Sequence, residues 1–229
     1  MSIPLNKASI VVSATDPESL EKITALSGQT PWDIVEIRAD CIPAQPQLSI
    51  EISSIPCPVI LTCRHPDEGG FNELRDPEKR GATLKPLISH AAAIDIEIAY
   101  AAQMAETINL AKTANLSLIL SFHDFSTTPD ETKLQAIVNE GITHCADLIK
   151  IATTTDSPEQ LCRLLSLFST FPDQPLALMG MGKLGMASRL IAAQSGSLLN
   201  YAAINEDNVL GQWPVGEFRD LIDRTAAGR

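Results

Sequence analysis

Lys150 stands in the middle of "ADLIKIATT" (146–154), a run whose Leu148, Ile149 and Ile151 are the material of a buried β-strand. Ammonium groups are almost never buried unless something pairs with them or they do chemistry. In such a place a lysine amine either pairs with an anion or attacks a carbonyl. Attack needs the neutral amine, and at the unperturbed pKa of about 10.4 only about one lysine in 2,500 is neutral at pH 7. Desolvation and nearby cations disfavour the ammonium, with Arg38 and Arg64 as candidates; Asp95 or Glu97, if close, would oppose them. A Schiff base also needs proton shuttling, for which the imidazole of His123 is suited near neutral pH. The two arginines suggest a carboxylate or phosphate on the substrate. Together these residues describe a lysine-iminium enzyme acting on an anionic carbonyl compound.

Such a set needs a scaffold that lines it up. Short apolar runs separated by turn signals form eight candidate strands, at 8–13, 33–38, 58–64, 93–99, 116–122, 147–152, 175–180 and 198–204. Most of the gaps read as helices. Asp16 is placed to N-cap one, with Pro17 at its first position and Gly28 at its end. Thr128-Pro129 and Ser157-Pro158 repeat the device ahead of apolar residues at helical spacing. An Ala-rich helix is expected in 99–114, and the faintest helical pattern lies in 42–56. Strand and helix alternating at roughly 25–30 residues per unit predict an α/β fold, a single-domain (β/α)8 barrel over 1–229, with an open doubly wound sheet as the rival.

Side chains alternate faces along a strand. Glu36 and Arg38 then share a face with Ile34; Asp95 and Glu97 oppose Ile94, Ile96 and Ile98; Ser121 and His123 oppose Leu118, Leu120 and Phe122; Lys150 opposes Ile149 and Ile151; and Arg64 ends the third strand on the face of Ile60 and Thr62. Singly, each has a plainer reading, as an edge lysine, a structural histidine or a solvated acidic face. Jointly, on neighbouring strands with a continuously apolar opposite face, they describe a polar barrel interior. Most lie toward the C-terminal strand ends, where barrel active sites sit. Neighbouring fifth and sixth strands would set His123 beside Lys150.

Composition narrows the alternatives. The 229 residues carry a net charge of -11, which disfavours nucleic acid and anionic membrane surfaces as partners. Five scattered cysteines without a C-x-x-C read as reduced core thiols of a cytosolic protein, and the four histidines lack metal-binding spacing. The first strand leaves no room for a signal peptide, and no apolar run approaches the roughly 18 residues of a membrane helix. "GMGKLG" (180–185) fits the dinucleotide fingerprint, with Glu206 further on, but it follows the seventh strand, whereas the fingerprint normally opens a βαβαβ unit.

From Ile10 to about Leu221 the chain resembles the type I 3-dehydroquinate dehydratases. The resemblance rests on "EIRAD" (36–40), "TCRHPDEGG" (62–70), "DIEI" (95–98), "SFHDF" (121–125), "IKIA" (149–152), "GKLGMASR" (182–189) and "GQ" (211–212), in that order. It implies that Lys150 forms a Schiff base with the C3 ketone of 3-dehydroquinate. His123 would take the C2 proton and help water leave from C1 in a syn elimination, giving 3-dehydroshikimate in the shikimate pathway of aromatic amino acid and chorismate biosynthesis. Glu68 would orient His123 and Arg189 would clamp the substrate carboxylate. Glu36, Arg38, Arg64 and Gln212 would hold the hydroxyls and close the site, with Ser13 at the end of strand one as a further contact. The resemblance implies no metal or nucleotide cofactor, a cytoplasmic homodimer, and glycines after strand seven that serve a tight turn delivering Arg189. Such domains can be fused to a shikimate dehydrogenase, and "RTAAGR" reads as a terminus or a linker.

One departure concerns the loop after the eighth strand. The family usually shows Ser-x-Pro-Gly-Gln where this chain has "NVLGQ" (208–212), with Asn208 at the serine position and Leu210 at the proline. An amide can still donate to a substrate hydroxyl, and a loop without the proline is expected to order only with ligand bound. Two other classes remain: a class I aldolase, which shares the barrel and the Schiff-base lysine, and a binding barrel without catalysis.

Overall fold

A computed structural model describes residues 3–5, 7–26, 30–42, 46–71, 73–204 and 211–226. Eight strands, β1 (Ser9–Ala14), β2 (Ile34–Arg38), β3 (Val59–Thr62), β4 (Ala93–Glu97), β5 (Ser117–Asp124), β6 (Leu148–Thr154), β7 (Leu176–Met181) and β8 (Leu199–Ala202), fall on the expected runs. All ladders are parallel, in the order β7-β6-β5-β4-β3-β2-β1-β8. This is a nearly closed barrel, not an open doubly wound sheet. Its seam is held where the Leu198 N–H donates to Leu176 O at 2.9 Å and the Leu178 N–H donates to Ser197 Oγ at 3.1 Å.

The helices are α1 (Pro17–Ala25), α2 (Pro46–Ser54), α3 (Pro77–Leu84), α4 (Ala105–Thr113), α5 (Glu131–Thr143), α6 (Pro158–Leu165), the short α7 (Leu167–Thr170), α8 (Gly185–Ser195) and α9 (Val215–Ala226). Asp16 caps α1 by accepting the Ser19 N–H at 2.8 Å, and Ser157 caps α6 by accepting the Gln160 N–H at 3.4 Å, as expected. Gly28 lies outside the described residues. The start of α5 is a correction. Asp130, not Thr128, is its cap and accepts the Lys133 N–H at 2.8 Å. The Thr128 hydroxyl is buried and donates to Thr154 O at 2.8 Å, which ties the chain to the end of β6.

Alternation sorts the strand residues as expected. Ile10, Val12, Val35, Ile37, Leu61, Ile94, Ile96, Leu118, Leu120, Ile149, Ile151 and Leu178 form the layer between sheet and helices. Inside the barrel Val11, Ile34, Ile60, Ile119, Leu148 and Leu199 pack together with Ile3 from ahead of β1, so the N-terminal half of the interior is apolar and filled. Charged side chains therefore crowd into the C-terminal half. The expected core position of the cysteines holds for Cys63 alone; Cys41 and Cys57 are half-buried, while Cys145 after α5 and Cys162 on α6 are exposed. All five are free thiols.

Candidate active site

Lys150 sits in the ladder with Ser121 on β5 and Ala177 on β7 as its neighbours, and it is only 3% exposed. Its amine opens into a cavity of about 400 Å³ at the C-terminal end of the barrel. Around Nζ are Asp95 Oδ2 at 2.5 Å, the Tyr201 hydroxyl at 3.4 Å and Glu36 Oε1 at 3.8 Å. The Asp95 contact is an ion pair without hydrogen-bond alignment, since no donor is aimed at Oδ2. Of the carboxylates weighed from sequence, Asp95 is the one pressed against the lysine.

The strands on one side form a continuous charged wall. Arg64 bonds Asp95 Oδ1 at 3.0 Å, Glu97 Oε1 at 3.0 Å and Ser121 Oγ at 2.5 Å. Glu97 also accepts the His65 N–H at 3.0 Å and pairs with Arg80, a fully buried arginine that reaches in from α3. Burial alone would raise the Asp95 pKa, but Arg64 and Lys150 outweigh it and hold the carboxyl well below the usual range. Glu36 follows the same logic: burial raises it, and Lys150 with the arginines brings it below its ordinary value. Glu36 accepts Ser13 Oγ at 2.7 Å and Thr62 Oγ1 at 2.7 Å. Arg38 makes a two-pronged pair with Asp40 at 2.9 and 2.7 Å and reaches Gly69 O at 3.1 Å. Strand three stops at Thr62, short of the expected Arg64, because the Arg64 N–H leaves the ladder and donates to Asp40 Oδ1 at 3.1 Å.

His123 is inside β5, where alternation put it. Glu68 arrives from the single turn Pro66–Glu68 that follows β3, and its Oε2 lies 2.8 Å from His123 Nδ1 and accepts the His123 N–H at 3.0 Å. The turn folds tightly over the end of β3, and a Cβ at Gly70 would stand 1.8 Å from Arg64 O, so only glycine fits. Burial, then Arg64 and Lys150, push the imidazole pKa well below 6.5. Burial pushes Glu68 up to about 8 against the pull of Arg64. Oε2 already accepts the backbone N–H, and with Glu68 ionised it can accept from Nδ1 as well. The Nε2 atom is then a bare base.

The opposite side of the cavity has a different character. Tyr201 from β8 lies with its ring 4.7 Å from Lys150 Nζ and donates from its hydroxyl to Glu36 Oε1 at 3.3 Å. Burial, then Glu36 and Asp95, hold its pKa well above 10, so it is a phenol. Arg189 on α8 is buried and donates to two carbonyls, Tyr201 O and Gly211 O, each at 3.0 Å. No carboxylate faces it among the described residues, and burial lowers its pKa to about 10. Gly185 lets the chain approach this closely, since a Cβ there would meet Gly211 Cα at 2.8 Å. Gly180, Gly182 and Gly185 of the fingerprint are faced by Ser188, Asp156 and Gly211.

The cavity thus brings together Ser13, Glu36, Arg38, Arg64, Glu68, His123, Lys150, Arg189 and Gln212. Asn208 and Leu210, with the expectation about their loop, lie outside the described residues. Sequence reading missed Arg80, Tyr201 and the exposed Phe125, which also lines the cavity. Tyr201 was signalled by its alternation with Leu199; nothing local marks Arg80, which is one helix arginine among several. No group of three or more His, Cys, Asp or Glu side chains suited to a metal occurs among the described residues, and none of their helices is long and apolar enough to cross a membrane.

Comparison with known proteins points one way. The family model of type I 3-dehydroquinase matches residues 8–226. A 3-dehydroquinate dehydratase from Latilactobacillus sakei is 33% identical over 204 residues, covering 85% of this chain and 84% of that protein. One from Pyrococcus abyssi is 28% identical over 222 residues, covering 97% and 99%. Among solved structures, 3-dehydroquinate dehydratase from Aquifex aeolicus superposes with a TM-score of 0.82 at 27% identity, covering 94% of this chain and 97% of that one. The type I enzyme from Clostridium difficile, solved with covalently modified comenic acid, shares the fold with a TM-score of 0.87 at 23% identity, covering 97% and 94%.

Proposed function

Since the chain belongs to the type I 3-dehydroquinase family and is a hydro-lyase, a 3-dehydroquinate dehydratase, we propose that it eliminates water from its substrate through a Schiff base on Lys150. The observation that carries this reading is a lysine 3% exposed at the foot of a cavity, on the strand next to a histidine gripped by Glu68 at 2.8 Å. The Lys150 amine attacks the C3 ketone of 3-dehydroquinate, and loss of water from the carbinolamine leaves an iminium. The iminium withdraws electrons from C2. His123 Nε2 takes the C2 proton and delivers it to the departing C1 hydroxyl on the same face, a syn elimination. Hydrolysis of the iminium then frees 3-dehydroshikimate and Lys150.

Arg189 is the partner of the substrate carboxylate, because it is the buried cation that meets only carbonyl oxygens among the described residues. Glu36, Arg38, Ser13 and Gln212 hold the hydroxyls. Arg64, expected to do the same, lines the cavity with its charge engaged by Asp95 and Glu97. Asn208 is a contact from the loop after β8. The same reading makes the whole chain one catalytic barrel that needs no cofactor, a cytoplasmic homodimer in the shikimate pathway.

Incubation with 3-dehydroquinate and borohydride, followed by digestion and mass analysis, should find a reduced adduct on the Lys150 peptide. Without reductant, the ultraviolet absorbance of the enone product should rise. Lys150→Ala should lose both signals. Turnover persisting in that variant would rule out the Schiff-base route.

A further inference from the structure

Tyr201 has a place in the site that the elimination above does not use. Lys150 Nζ donates to its hydroxyl oxygen at 3.4 Å, and the hydroxyl donates onward to Glu36 Oε1 at 3.3 Å. Nζ itself is 3.8 Å from that carboxylate oxygen, beyond hydrogen-bond reach. Asp95 Oδ2 is closer, at 2.5 Å, but no donor is aligned with it. The other Asp95 oxygen is taken by Arg64 at 3.0 Å and Ser121 at 2.6 Å. Among the described residues, the aligned route from the ammonium to a carboxylate runs through the phenol.

We infer that Tyr201 is a catalytic residue of the Schiff-base step, relaying a proton from the Lys150 ammonium to Glu36. The inference rests on the reading of Lys150 as nucleophile. One Nζ–H bond breaks as an O–H bond forms on the phenol, while the phenolic O–H bond breaks as an O–H bond forms on Glu36 Oε1. The products are a neutral amine, a neutral phenol and a protonated Glu36, with no change of oxidation state; neutralising Lys150 removes the strongest pull that had held Glu36 ionised. Nitrogen keeps the electron pair that attacks the ketone. A phenol this resistant to ionisation suits a concerted transfer, in which no phenolate accumulates. The charged and titratable groups facing Lys150 are Glu36 from β2, Arg64 after β3, Asp95 from β4, His123 from β5 and Tyr201 from β8; β7 offers the apolar Ala177, Met179 and Met181.

Tyr201→Phe removes the hydroxyl and keeps the ring. In rapid-quench experiments with 3-dehydroquinate and borohydride, the Lys150 adduct should form about 100-fold more slowly at neutral pH, the scale of a lost acid–base group. The deficit should shrink in alkaline buffer, where solvent takes the proton, and KM should stay close to wild type. A purely structural role would lower stability without this pH-dependent recovery. Glu36→Gln should show the same alkaline recovery of adduct rate, and adding Tyr201→Phe to it should cost little more. An unchanged adduct rate in Tyr201→Phe at every pH, or fully additive losses in the double variant, would overturn the relay. Absence of any adduct in the wild-type enzyme would instead overturn the Schiff-base reading, and the relay with it.

Discussion

The two sides of the cavity treat a buried arginine in opposite ways. On the β3–β4 side, Arg64 is surrounded by Asp95, Glu97 and Ser121, and Arg80 stands behind Glu97. On the α8–β8 side, Arg189 is as buried, yet among the described residues it meets carbonyl oxygens alone. A buried charge is tolerated when a counter-charge and hydrogen bonds offset its desolvation. Arg64 satisfies that condition within the protein. Arg189 does not, and its pKa, lowered by burial to about 10, registers the deficit. On the function proposed above, the second arginine is the one that the substrate carboxylate completes.

Substitution should separate the two. Arg64→Gln leaves Asp95 and Glu97 buried with too little positive charge, and the expected loss in urea unfolding is about 3–5 kcal/mol. Arg189→Gln should change unfolding by less than about 1 kcal/mol while raising KM by roughly 100-fold, the value of a charge-assisted pair of about 2–3 kcal/mol. Saturating product should raise the melting temperature of the wild type more than that of Arg189→Gln. Comparable stability losses in the two variants would erase the distinction.

A smaller effect concerns the reach of the charged side. Burial, then its cations, depresses His123, so the unfolded chain binds a proton at a pH where the folded one does not. The His123 contribution to stability is complete above pH 6.5 and is lost as pH falls from there through the depressed folded value. In the same way, the acid limb of kcat/KM should lie below pH 6.5. A limb above 6.5 in the pH–rate profile would mean that burial, Arg64 and Lys150 do not govern His123.

Much of this site could be read from residue order. The alternation in "DIEI", "SFHD" and "LIKIA" put Asp95, Glu97, His123 and Lys150 on the interior face, and the structure places them there. The strand runs were legible because a barrel strand has an apolar outer face whose period of two survives any helix packed on it. The start of α5 was not. Thr128-Pro129 and Asp130 are both credible caps locally, and what chose Asp130 was the bond from the Thr128 hydroxyl to Thr154 O, on a strand distant in sequence. The core reading of Cys145 and Cys162 failed for a related reason: small apolar side chains carry little information about which side of a helix or turn meets solvent.

By itself, the sequence determined the number of strands, their direction, the face on which the polar residues sit and the lysine buried among them. These follow from local periodicity and from the rule that a buried amine needs a reason. Only the tertiary structure decided how the charges pair. Arg64 and Arg189 are the same residue type, and their difference arises because Asp95, Glu97 and Ser121 converge on one while backbone carbonyls meet the other. Tyr201 likewise acquires its place between Lys150 and Glu36 only when the eighth strand closes beside the first. Coulombic and hydrogen-bond energies depend on distances of a few ångström between residues remote in the chain, and folding alone sets those distances.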